Sequence, residues 1–126
     1  MKLYQRIAQM LQAIQNCKES GNTEWQEKHE EVLYKLVRDY MPSGSGIDSG
    51  CIIYPNKSIS DKKIVFSFDY HHMKDGFYTH WSTHLLTIIP SFVNDFEMKI
   101  TGLTKRDYNL DDYLYQTFDY ALRLEI

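Results

Sequence analysis

Four of the five histidines of this chain, His71, His72, His80 and His84, fall between Tyr70 and His84, together with Phe77, Tyr78 and Trp81. Imidazole takes up or releases a proton near neutral pH, ligates metals and hydrogen-bonds through either nitrogen. Flat rings beside it can stack on a planar ligand, an interaction worth about 1–3 kcal/mol per nucleobase. His80-Trp81-Ser82-Thr83-His84 has the spacing H-x-x-x-H. On a helix that spacing turns two imidazoles to one side, as in zinc proteases. The glutamate of that motif is missing here, and the stretch reads as a strand, where positions 80, 82 and 84 share a face. With His71 or His72 the pair could hold zinc, but no third ligand stands at a familiar spacing, and no metal is expected.

Two further segments carry chemistry-bearing residues. Lys105-Arg106-Asp107 lies in a turn ahead of the last helix. Arg106 can grip a phosphate through two parallel hydrogen bonds, helix N-terminal amides just beyond would favour an anion, and Asp107 can accept from a ribose hydroxyl. Ser43-Gly44-Ser45-Gly46-Ile47-Asp48-Ser49-Gly50 could form an amide nest for an oxyanion, but it has no Lys and no following helix, so it is not a phosphate-binding P-loop. Nucleophilic catalysis has little support. Cys17 and Cys51 have no adjacent base, no G-x-S-x-G elbow occurs, and the acidic pairs Glu30-Glu31 and Asp111-Asp112 read as solvated helix faces. No catalytic residue and no cofactor are expected.

The elements that would hold these residues follow from periodicity. Leu3, Ile7, Met10, Leu11 and Ile14 form one helical stripe ending at Gly21, a residue suited to a left-handed C-cap. Thr23 with Gln26 reads as a capping box for a second helix carrying Trp25, Val32, Leu33, Leu36, Val37 and Tyr40. Residues 41–50 form a Gly/Ser-rich loop by composition. Short strands follow at 51–54 and from Ile64 to His71; Lys74-Asp75-Gly76 is a tight turn. Phe77 to Ile89 is a long strand whose second half is apolar on both faces, hence central. Phe96 to Thr101 alternates as a fourth strand, and Asn109 caps a last helix bearing Leu110, Leu114, Phe118, Ala121 and Leu122. Strands joined by short turns pair antiparallel. The expected architecture is α+β: an N-terminal helical hairpin (1–40), the loop (41–50), a four- to five-stranded antiparallel meander (51–103) and a C-terminal helix (109–125), all in one domain.

Composition fits that domain. At 126 residues, with 43% apolar and 25% charged residues, the chain can bury a core without staples. The net charge of −3 argues against a dedicated nucleic-acid binder. Two cysteines without metal spacing fit a reducing cytosol. The amphipathic start is not a signal peptide, and no run of about 18 apolar residues marks a membrane span.

Pro42-Ser43-Gly44-Ser45-Gly46-Ile47-Asp48-Ser49-Gly50, with His71-His72-Met73, Gly76-Phe77-Tyr78 and Trp81-Ser82-Thr83-His84, resembles a group of small proteins carried by phages, prophages and plasmids. More loosely, in architecture and residue types, the chain resembles the Thoeris anti-defence sponges, phage proteins that bind cyclic ADP-ribose signals without cleaving them. One departure is Thr87-Ile88-Ile89-Pro90, where family members continue T-V-x-V-R-P, so Ile89 stands in place of Arg. The second resemblance implies a non-enzymatic protein in the host bacterial cytoplasm that forms a homo-oligomer (dimer or higher), holds a small cyclic nucleotide and sequesters that immune signal. The residues that could fill the ligand-binding roles it implies are Phe77, Tyr78, Arg106 and Asp107. The strand reading adds His80, Trp81 and His84 as ligand-binding candidates, since one face, carrying either Phe77 and Trp81 or Tyr78, His80 and His84, lines a binding surface. The Met10 stripe or the Trp25 face is the expected protomer contact. The alternative is a protein-binding inhibitor of a bacterial defence effector such as a nuclease.

Overall fold

The fold is that of a computed structural model, which describes residues 1–40, 52–53, 63–102 and 108–126, with the side chains of 52, 53, 66, 78, 108 and 109 outside that description. The expected strand at 51–54, the loop at 41–50 and the Lys105-Arg106-Asp107 turn therefore lie wholly or partly outside the described residues. Helix α1 (Leu3–Ser20) and helix α2 (Thr23–Tyr40) form the hairpin; strands β1 (Ile52–Ile53), β2 (Ile64–Lys74), β3 (Phe77–Ile89) and β4 (Glu97–Gly102) follow; helix α3 (Tyr108–Leu122) comes last. The four strands make one antiparallel sheet in the order β1-β2-β3-β4. The architecture is α+β, as the periodicities imply, with β3 central.

Local chemistry sets the joints. Gly21 is left-handed, at φ 72°, and its N–H and that of Asn22 reach back to the carbonyls of Lys18 and Cys17, closing α1. The cap of α2 differs from the expectation. Asn22, not Thr23, accepts from a first-turn amide, its Oδ1 3.3 Å from Trp25 N, while the Gln26 amide donates to Glu30. Asn precedes Thr in the chain and caps at least as well, so the helix starts one residue earlier. Asp75 (φ 53°) and Gly76 (φ 83°) are both left-handed, which is the turn that an Asp-Gly pair prefers in a two-residue hairpin. Helix α3 begins at Tyr108, so Asn109 is its second residue and not its cap.

The three helices cover one face of the sheet, and a single core joins them. Leu3, Ile7, Leu11 and Ile14 of α1, Leu33 and Val37 of α2, Ile64 and Phe68 of β2, Leu86 and Ile88 of β3, and Leu114, Phe118 and Leu122 of α3 are all buried in it. Met10 belongs to this core and is only 5% exposed. That corrects the expectation of a protomer contact at the Met10 stripe: a helical hairpin needs an apolar partner, and the sheet of the same chain supplies it. Helix α2 turns Leu33 and Val37 inward and leaves Trp25 52% exposed, with Val32 and Tyr40 also outside. Glu30 is buried rather than solvated, its carboxylate accepting from Gln26. At the other end of the core, the Arg123 guanidinium donates to Asp95 and Asp119 at 3.1 Å each and lies 4.7 Å over the Phe96 ring, pinning the last turn of α3 to the entry of β4. Among the described residues no helix is long and apolar enough to cross a membrane.

Candidate functional site

The β2–β3 ladder decides which residues meet. Phe68 pairs with His84, Tyr70 with Ser82 and His72 with His80, but the next pair is Met73 with Tyr78, so Thr79 has no partner and forms a one-residue bulge. Directly opposed residues share a face of the sheet, and a bulge shifts the alternation by one. Phe68, Tyr70, His72, Ser82, His84, His80 and, past the bulge, Phe77 therefore belong to the helix-side set, and Asp69, His71, Met73 and Trp81 to the outer set. Strict period-two alternation along the strand would instead put Phe77 with Trp81, and Tyr78 with His80 and His84; the bulge breaks it. The ladder position of Tyr78, opposite Met73, belongs to the outer set.

The helix-side set builds a connected cluster. Ser82 Oγ lies 2.9 Å from His72 Nε2 and 2.8 Å from His84 Nε2. A hydroxyl has one proton, so it donates to one imidazole and accepts from the other; with neutral rings, the two Nε2 atoms are held in opposite protonation. The His72 and His80 rings stack at 4.2 Å with an interplanar angle of 8°. The Thr79 hydroxyl donates to the His72 carbonyl at 3.3 Å and sits 3.1 Å from His80 Nδ1. Both contacts are satisfied together when the hydroxyl proton goes to the carbonyl and the oxygen accepts from His80 Nδ1–H. In that arrangement neutral His80 presents Nε2 as an acceptor. The Tyr70 ring stands edge-on to His72 at 5.0 Å and to Tyr113 of α3 at 6.4 Å.

Burial grades along this chain of rings. His84 is 2% exposed, stacks on Phe68 at 5.2 Å, and its Nδ1 is buried without a hydrogen-bond partner. Burial lowers its proton affinity, Asp111 opposes that, His72 adds to the lowering and Asp69 opposes it. Tyr70 is held above the usual phenol range by burial and by Tyr113. His72 is half-buried, His80 exposed, and Phe77 at the hairpin tip is 76% exposed. The result is a shelf of stacked imidazoles, open at the tip and anchored on a buried floor.

Of the expected site residues, the fold brings His80 and His84 into one cluster, with Phe77 at its rim. Trp81, 67% exposed, is on the outer face beside His71. His84 is corrected from a surface contact to a buried support: its ring stacks on Phe68, which packs in turn against Phe118. Arg106 and Asp107 lie outside the described residues, though Gly102, which leads into their segment, pairs with His84. In the sequence reasoning His72 stands only as an optional zinc partner, and Ser82, Tyr70 and Tyr113 have no binding role. The i, i+2 spacing of Tyr70 and His72, and of Ser82 and His84, was a visible signal for the first three; nothing in the helical stripe of α3 singled out Tyr113. Among the described residues no three His, Cys, Asp or Glu side chains converge as a metal site. A separate groove of about 690 Å³, past the far end of β3, lies between α1 (Ala8, Leu11, Gln12) and Ile89, Pro90 and Phe92, and none of its lining residues is titratable.

No protein-family model, no curated protein and no solved structure matches the chain.

Proposed function

We propose that this protein is a phage anti-defence protein that sequesters a small cyclic nucleotide immune signal, of the cyclic ADP-ribose type, without cleaving it. The observation that carries the reading is the stacked His72–His80 pair, a flat, partly open aromatic shelf fixed on two paired strands. A purine can extend such a stack, and the Nε2 of His80 can accept from an exocyclic amine. The Ser82 hydroxyl is held between two imidazoles and is itself buried, which suits a support and not an exposed nucleophile. Arg106 and Asp107, in the segment after Gly102, are the proposed partners of phosphate and ribose. The site of action would be the cytoplasm of the host bacterium, and the working form a homo-oligomer.

The test is uptake and release. Purified protein is incubated with cyclic ADP-ribose, freed of unbound ligand, heated, and the supernatant is analysed by mass spectrometry. Intact ligand is the expected product. A cleaved product would make the protein an enzyme, and no uptake of any compound in a cyclic nucleotide panel would remove the sequestration reading. The second reading, a protein-binding inhibitor of a defence effector such as a nuclease, is favoured by the exposed Met73, Phe77 and Trp81 around the hairpin tip.

A further inference from the structure

Among the described residues, β4 is the last strand at one edge of the sheet. All six of its residues pair with β3 on one side, and among the described residues no strand and no backbone hydrogen bond reaches its other side. Such edges are templates for another strand, and proteins usually blunt them with very short strands, prolines or bulges. At the opposite edge, β1 is described over Ile52–Ile53. Strand β4 has none of these three devices; its blunting charges are Lys99 and, beside it, Glu97, both exposed. It holds no proline, and its ladder with β3 runs without a register shift. Its outer-face row, Glu97, Lys99 and Thr101, is exposed, while Met98 and Ile100 on the helix side are only half-buried, with Phe96 just before them.

We infer that β4 is the self-association edge of the protein, pairing antiparallel with β4 of a second copy about a twofold axis at Met98. The charges select that register. An axis at Met98 sets Glu97 opposite Lys99 of the other copy, twice over. An axis at Glu97 or Lys99 would instead set like charges directly opposite each other, which is destabilising. A shift by one residue would exchange the two faces of the partner's sheet. In the Met98 register, Met98 meets Met98, and Phe96 meets Ile100 under the helices, covering the half-buried apolar row. The product is one eight-stranded sheet with the helices of both copies on the same side, and the contact is isologous, as a closed dimer requires. This goes beyond the sequestration reading and stands without any ligand.

The experiment is sedimentation of the full chain without ligand. Wild type is expected to dimerise reversibly. E97K and K99E each create two like-charged pairs and are expected to weaken association by about tenfold or more, with unchanged far-UV circular dichroism because both side chains are exposed. An equimolar mixture of E97K and K99E is expected to regain the wild-type association, since each supplies the charge the other lacks. Wild type that is monomeric at every concentration, single variants that associate as wild type does, or a mixture that fails to recover would each overturn the inference. None of these outcomes bears on ligand uptake, which is measured separately.

Discussion

At the scale of single residues, the buried end of the ring cluster carries the clearest consequence. His84 is packed against Phe68 with its Nδ1 unpartnered, so the folded protein resists charging it. Its folded proton affinity lies below the unfolded value near 6.5. Between those two values the unfolded chain binds more protons, so stability rises with pH. The contribution is therefore complete above about pH 6.5 and is lost as pH falls from there towards the folded value. Urea midpoints measured from pH 8 to pH 5 are expected to fall below about pH 6.5, and His84→Gln, which keeps a polar group near Ser82, is expected to flatten that fall. A variant with the same pH profile as wild type would show that another group sets it. The sequence displayed the histidines but not this role, because it depends on tertiary packing: His84 stacks on Phe68 of the neighbouring strand, and Phe68 packs in turn on Phe118 of α3.

The helices and strands were largely legible one by one, because each carries its own signal. The stripe of α1, the Gly21 stop, the Asp-Gly turn and the run of β3 from Phe77 to Ile89 all stand where periodicity and turn chemistry put them. What could not be read was the relation between elements. The bulge at Thr79 is a property of the β2–β3 register, and no glycine or proline at that position announces it. Likewise both helix stripes look equally apolar in sequence, yet Met10 is inside and Trp25 outside. That asymmetry is measurable. Met10→Ala is expected to cost about 2–5 kcal/mol of unfolding free energy, as truncation of a packed core side chain does. Trp25→Ala is expected to cost about 0.5 kcal/mol or less, as at an ordinary surface position, and to leave self-association unchanged. A large loss from Trp25→Ala, growing steeper at high protein concentration, would place a protomer contact on α2.

For the molecule as a whole, the placement of the helices on one side of the sheet makes the two faces of the hairpin tip separable. The helix-side face carries the His72–His80 shelf and the outer face carries Trp81. A planar ligand that extends the shelf has no contact with Trp81, although both residues are exposed and adjacent in sequence. Binding to the folded state alone stabilises by about 2.7 kcal/mol at a ligand concentration of 100 Kd, which for a domain of this size raises the melting temperature by about 10 °C. Cyclic ADP-ribose is expected to produce that rise in wild type and in Trp81→Ala. His80→Ala removes the outer ring of the stack and is expected to lose about 1–3 kcal/mol of binding, so that its Kd rises about 5- to 150-fold. The comparison is made at one ligand concentration by thermal denaturation and confirmed by calorimetry. If Trp81→Ala abolishes the rise and His80→Ala does not, the ligand sits on the outer face, against His71 and Met73. A chain that melts at the same temperature with and without ligand has no such site, and the exposed rings of the tip are then left to a protein partner.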